Sequence, residues 1–214
     1  MTLDNPFTTP IYAITDPFLL PGERLFAGVE EALKAGVTVI QYRDKNASPE
    51  ERLERASILV DICNRYQAKL IVNDSVSIAL ESQAHGVHLG QEDGSLKEAR
   101  EILGPHAIIG ATCHDQIELA QRACDNGADY VVFGRFFHSS TKPQAKPAHL
   151  DVLQHAKHSL PVPVVAIGGI TPDNMAPLVQ HQADALAVCQ SVFGVADITA
   201  ACQRFLLCWK QLHV

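Results

Sequence analysis

Two hydrophobic patterns alternate along the chain. Short runs rich in Ile and Val (residues 11–15, 37–42, 69–73, 87–89, 108–112, 130–133, 162–167 and 186–188) have the length and β-branching of buried strands. Each is followed by a longer stretch with apolar residues at helical spacing: 24–35, 48–66, 75–82, 95–103, 115–126, 149–158, a helix opening at Pro172, and 197–211. Ser48-Pro49-Glu50-Glu51 is a helix start, with a Ser cap, a Pro at the first position and a Glu at the third. Eight strand–helix units without a linker predict a parallel sheet, closed as a single-domain α/β fold of the (β/α)8 TIM barrel type. The domain is expected over residues 1–214, with the barrel core at about 11–211. The chain is short for a barrel of about 250 residues, so its loops must be lean. The longest irregular stretch, 135–147, is the candidate substrate loop.

In such a barrel, chemistry sits at the C-terminal ends of the strands. Those ends carry Gln41-Tyr-Arg43-Asp-Lys45, Asn73-Asp74, Gln91-Glu-Asp93, Thr112-Cys-His114, Ser139-Ser-Thr141-Lys142 and Gly168-Gly169. Asp74 and Asp93 follow the third and fourth strands, so both carboxylates emerge at one edge. They repel each other unless a cation lies between them, and hard oxygen ligands suit Mg²⁺ completed by water and phosphate. The alternative is that they cap the helices starting near Ser75 and at Ser95. The cations Arg43, Lys45 and Lys142, the carboxylate pair and the Gly-Gly turn suggest a ligand with more than one phosphate. Gly168-Gly169 before a helix fits a phosphate site, or else a tight connection. Ser139, Thr141 and Lys142 complete a phosphate cradle, or else form a solvated loop.

The bulk numbers narrow the classes. The chain has 214 residues, 47% of them hydrophobic, enough for a sizeable core. A net charge of −7 argues against a general nucleic-acid partner. No apolar run approaches the ~20 residues of a membrane span, and MTLDNPFTTP lacks the basic and apolar regions of a signal peptide. Six cysteines without paired spacing read as reduced thiols in a cytoplasmic protein rather than disulfides or a metal site. The pairs His85/His88 and His155/His158 have metal-like spacing but no further ligands, and read as packing or surface histidines. Oligomeric state, including a homo-oligomer, is left open.

Five motifs in order now resemble a known family, thiamine phosphate synthase. They are Gln41-Tyr-Arg-Asp-Lys45, Ile71-Val-Asn-Asp74, Gly86-Val-His-Leu-Gly-Gln-Glu-Asp93, Thr141-Lys142-Pro143 and Val165-Ala-Ile-Gly-Gly-Ile-Thr-Pro-Asp-Asn174. The resemblance runs from Ile11 to about Phe193 and implies a (β/α)8 barrel. It implies a transferase that joins hydroxymethylpyrimidine diphosphate to thiazole phosphate, releasing pyrophosphate, by a dissociative route. By the same resemblance, Gln41, Arg43, Lys45, Asn73, Thr112 and Lys142 would meet the pyrimidine diphosphate. Arg43, Lys45, Thr112 and Lys142 would carry the catalysis. Ser139, Thr141, Gly169, Cys189 and Gln190 would meet the thiazole phosphate, and Asp74 and Asp93 would hold Mg²⁺. The implied partners are small phosphorylated molecules, with neither nucleic acid nor membrane. The chain departs from the pattern at Arg135, His138-Ser139, His85, Gln182, Ala185 and Gln190.

Two other readings compete. A thiazole tautomerase-like isomerase shares the Gly-Gly turn, but such paralogues generally lack the Asn-Asp pair and the Thr-Lys loop. A non-catalytic barrel binding thiamine intermediates would not need paired metal ligands.

Overall fold

The computed structural model describes residues 5–138 and 146–213. Its elements are β1 (Ile11–Ile14), α1 (Arg24–Lys34), β2 (Val39–Tyr42), α2 (Pro49–Arg65), β3 (Lys69–Asn73) and α3 (Val76–Glu81). Then follow β4 (Gly86–Leu89), α4 (Leu96–Leu103), β5 (Ile108–His114), α5 (Ile117–Asp125), β6 (Tyr130–Gly134) and α6 (Asp151–Ser159). The last are β7 (Val164–Ile167), α7 (Ala176–Gln180), β8 (Ala185–Val188), α8 (Gln190–Phe193) and α9 (Ile198–Leu212). Each strand pairs in parallel with the next, and β8 returns to β1, closing the barrel.

The strands read as unbroken apolar runs because both of their faces are buried. Alternate residues point to different cores. Tyr12, Val39, Ile71, Tyr130, Val132, Val165 and Ala185 fill the barrel interior, with Phe7 packed beneath them. Their neighbours, such as Ile11, Ile40, Leu70, Val87, Ile109 and Val131, pack in the larger layer between the sheet and the helices. Phe7 lies edge-on to Tyr130, with ring centroids 5.2 Å apart, and seals the N-terminal end of the barrel. Two glycines permit this packing. A Cβ on Gly110 would sit 2.0 Å from Tyr130 Cζ, and one on Gly86 would sit 1.9 Å from the Ile108 carbonyl oxygen.

The helix start at Ser48 is a full capping box. Ser48 Oγ accepts from the Glu51 N–H, and Glu51 Oε2 accepts from the Ser48 N–H. The helix expected at Pro172 instead begins at Ala176. Asn174 Oδ1 accepts from the Thr171 N–H and its Nδ2 donates to the Gly169 carbonyl, so residues 171–174 form a side-chain-locked turn. Pro177, not Pro172, sits at the start of the helix. The four-residue α8 was not expected. No helix among the described residues is long and apolar enough to cross a membrane. Cys63, Cys113 and Cys202 are buried free thiols, and burial pushes each up to about 12.

Candidate active site

The C-terminal strand ends surround a cavity of about 360 Å³. Parallel strands that end on polar residues deliver them all to this mouth. Gln41, Arg43, Asn73, Thr112, Gly169, Cys189 and Gln190 all line it. Lys45 lines a shallower recess beside it, together with Arg43 and Gln190. Ser139, Thr141 and Lys142 lie outside the described residues.

Five polar side chains cross the barrel floor beneath the cavity. Gln41 Nε2 donates to Tyr12 Oη at 2.6 Å, and Tyr12 Oη meets Tyr130 Oη at 2.7 Å. Tyr130 Oη meets His88 Nδ1 at 3.1 Å, and His88 Nε2 meets Thr112 Oγ1 at 2.9 Å. Gln41 and His88 are buried, and both phenols are fully so. Burial drives both phenol pKa values above their ordinary range, so the hydroxyls keep their protons.

At the cavity edge, Lys45 Nζ is 2.8 Å from Asp74 Oδ2. The Asp74 and Asp93 side chains are within hydrogen-bonding reach of each other. Burial works against ionisation of Asp74, but Lys45 and the bond to Asp93 outweigh it and hold its pKa below the carboxylate range. Asp93 is raised by burial and by the adjacent Asp74, while its Oδ2 accepts from the Gly90 N–H at 2.8 Å. Neither aspartate caps a helix. Ser75 Oγ accepts from the Ile78 N–H and Ser95 Oγ from the Glu98 N–H, so the serines fill that role. The bland reading of the acid pair therefore fails, and its charge is left without a structural purpose in the helices. Asp74 also holds a left-handed φ of 64°, a strained position for aspartate that places its carboxylate beside Asp93.

The Gly168-Gly169 turn is required by the loop after β6. A Cβ on Gly168 would lie 2.2 Å from Arg135 Cβ, and one on Gly169 would lie 2.1 Å from the His138 carbonyl oxygen. The loop is tied down by Phe136 N–H to the Ile167 carbonyl and Phe137 N–H to the Gly168 carbonyl. The tight-connection reading is thus true of these glycines, and their backbone still faces the cavity. Gln190 is exposed, and its side chain curls along α8 against Gly194, where a Cβ would be 2.2 Å from Gln190 Nε2.

No site role falls to Tyr12, His88, His114, Tyr130 or Arg135 from the sequence alone, although His114 is placed there at a strand end and Arg135 among the departures from the family pattern. Tyr12, His88, His114 and Arg135 line the cavity, and Tyr130 joins Tyr12 to His88 below it. His88 was weighed only as half of a metal pair. Its partner His85 instead accepts the Leu70 N–H at Nδ1, and burial and the nearby Lys69 charge lower its pKa. The usable signal for His88 was parity: it is paired with Asn73 across β3–β4, so it points into the barrel.

Known proteins match along the whole barrel. The family model described as thiamine monophosphate synthase matches residues 11–192. A thiamine-phosphate synthase from Saccharophagus degradans is 53% identical over 185 residues, covering 86% of this chain and 85% of its own. One from Alcanivorax borkumensis is 47% identical over 203 residues, covering 94% of each. A solved structure, thiamine phosphate pyrophosphorylase from Pyrococcus furiosus, superposes with a TM-score of 0.85 at 36% identity, covering 94% of this chain and 96% of that one.

Proposed function

The chain belongs to the thiamine monophosphate synthase family, and from that premise we propose which of its residues hold the two substrates and drive the reaction. It is a transferase on small phosphorylated molecules: it joins 4-amino-2-methyl-5-hydroxymethylpyrimidine diphosphate to 4-methyl-5-(2-hydroxyethyl)thiazole phosphate, releasing pyrophosphate and forming thiamine monophosphate. Gln41 and Asn73 take the pyrimidine end, and Arg43, Lys45, Thr112 and Lys142 take its diphosphate. Ser139, Thr141 and the backbone of Gly169, Cys189 and Gln190 take the thiazole phosphate. The chain works in the cytoplasm, as one domain over residues 1–214.

The reaction runs dissociatively. The C–O bond to pyrophosphate breaks with its electron pair leaving on oxygen, and the pyrimidine-methyl cation is stabilised by the ring amino group. The thiazole nitrogen then attacks that carbon. No nucleophile or strong base is needed. Arg43, Lys45 and Lys142 neutralise the charge that grows on the leaving group, and the cavity supplies proximity.

The acid pair fits Mg²⁺. Asp74 and Asp93 offer hard oxygens side by side, Asp74 is strained into place, and neither is used as a cap. Among the described residues no group of three or more metal-ligating side chains exists. A pair of carboxylates suits an ion which takes one or two of them and completes its shell with water and phosphate. When bound, Mg²⁺ supplies Lewis-acid stabilisation of the diphosphate.

The observation that carries the assignment is the meeting of Gln41, Asn73 and Thr112 in one cavity with Lys45, Asp74 and Asp93 at its edge. The test is pyrophosphate release with both substrates, with and without Mg²⁺. Release that needs both substrates and Mg²⁺ is expected. Release unaffected by Arg43→Ala and Asp93→Ala would overturn the assignment.

A further inference from the structure

The chain Gln41–Tyr12–Tyr130–His88–Thr112 has a direction. Each phenol has one proton to give. Tyr12 Oη receives the Gln41 amide proton, and among the described residues its only other partner is Tyr130 Oη, so it donates there. Tyr130 then donates to His88 Nδ1. That makes His88 the neutral tautomer protonated at Nε2, which donates to Thr112 Oγ1. Thr112 is left with its own proton free for the cavity, and Gln41 with its carbonyl oxygen.

Turning the Gln41 amide over would reverse every link. Its oxygen would accept from Tyr12, Tyr12 from Tyr130, and Tyr130 from a proton on His88 Nδ1. Thr112 would then spend its proton on His88. A mixed arrangement sets two protons, or two lone pairs, face to face beside the buried phenols, which is strongly disfavoured. The five groups therefore switch together or not at all. The substrate needs the direction that the Gln41 Nε2 bond to Tyr12 implies: its ring amino group is a donor that wants an acceptor, and its diphosphate is an acceptor that wants a donor.

We propose that Tyr12, Tyr130 and His88 are positioning residues that lock Gln41 as acceptor and Thr112 as donor toward the pyrimidine diphosphate. The proposal rests on the assignment of Gln41 and Thr112 to that substrate. Gly110 belongs to the same device, since only a residue without Cβ leaves room for the Tyr130 ring.

Nitrogen-15 NMR of the histidine rings in the substrate-free wild-type protein tests the direction without any substitution. At neutral pH His88 is expected with its proton on Nε2 and an unprotonated Nδ1 that accepts from Tyr130. Tyr130→Phe keeps the buried ring but cuts the chain, and Tyr12→Phe does the same one link earlier. Either variant that folds, judged by an unchanged melting curve, is expected to show a mixture of His88 tautomers. Its KM for pyrimidine diphosphate should rise about tenfold, with the KM for thiazole phosphate within about twofold. An Nδ1-protonated or doubly protonated His88 in the wild type overturns the proposal with the substrate assignment intact. The expected tautomer with a shift confined to thiazole phosphate overturns that assignment, and with it the substrate half of the proposal. A folded variant with both KM values unchanged overturns the locking role.

Discussion

The two sides of the cavity wall are built by opposite means. From β1 to β5 the polar groups at the cavity and its edge are side chains, each with its own partner: Gln41 with Tyr12, Thr112 with His88, Asp74 with Lys45, Asp93 with the Gly90 N–H. From β6 to β8 the described lining brings in three glycines, Gly134, Gly168 and Gly169, at positive φ where neighbouring chain segments press against them, so part of this wall is bare backbone. The difference suits the substrate proposed above for each side. A heteroaromatic ring presents donors and acceptors in fixed directions, and directed side chains answer it. A phosphate monoester presents oxygens all round, and backbone N–H groups that approach closely answer that. Preorganisation on the first side costs buried polar groups, so it succeeds only when every one of them is paired.

The largest expected effect breaks the side-chain half at its edge. Asp93→Ala removes one of two adjacent carboxylates, and Mg²⁺-dependent turnover should fall by about a hundredfold or more. The helix behind it keeps its Ser95 cap, so far-UV circular dichroism and the melting curve should change little. Normal turnover by the folded variant would remove the metal role from Asp93. Gly110→Ala strikes the support of the same half. Its Cβ would lie 2.0 Å from the buried Tyr130 ring, and urea unfolding should show a loss of about 3 kcal/mol or more. Gly169→Ala is the matching break on the backbone side, 2.1 Å from the carbonyl of an exposed loop residue. The clash there is with the backbone of a tied-down loop, and Gly169 also holds a φ of 62°, so the stability loss should be comparable, and the deficit in thiazole-phosphate binding should mark Gly169→Ala alone. An equal deficit in thiazole-phosphate binding in the two variants would erase the contrast between the halves.

Arg43→Ala sharpens the division of substrates. Arg43 lines both the main cavity and the recess with Lys45, which is the proposed diphosphate side. Its removal should raise the KM for pyrimidine diphosphate about tenfold and leave that for thiazole phosphate nearly unchanged. A loss confined to thiazole phosphate would mean that the two phosphate sites are assigned the wrong way round.

The barrel was legible because parallel strands buried on two faces leave contiguous Ile and Val runs that cannot be mistaken for loops. The rim was legible because its charged and hydroxyl groups follow those runs directly, as in Asn73-Asp74. The floor of the site was not. Tyr12 and Tyr130 look like ordinary apolar strand residues, and nothing local says that their hydroxyls meet at 2.7 Å across 118 positions of chain. Their link to His88 depends on strand parity and on the empty place at Gly110, which are properties of the closed sheet. The helix misplaced at Pro172 failed for a local reason: Asn174 bonds back to Thr171 and Gly169 and holds a turn that a proline alone does not forecast. At four residues, α8 is too short to show any period.

The smallest effect is expected at Gln190, on the backbone side. It follows β8 and lies beside the Gly168-Gly169 turn, where a bulky side chain could crowd a phosphate held by N–H groups. The structure shows how it avoids doing so. The side chain is exposed and folds along α8 into the space left by Gly194, so its amide sits by its own helix. On the proposed assignment the ligand then needs only the main chain of residue 190, and any side chain that stays outward should serve. Gln190→Ser keeps that N–H and adds no charge. Thiazole-phosphate affinity, measured by calorimetric titration, should therefore stay within about tenfold of the wild type, the ~1.4 kcal/mol of one modest hydrogen bond. A hundredfold gain in the serine variant would mean that Gln190 swings inward and blocks the site. This wall would then be gated by a side chain, and its likeness to a plain backbone cradle would end there.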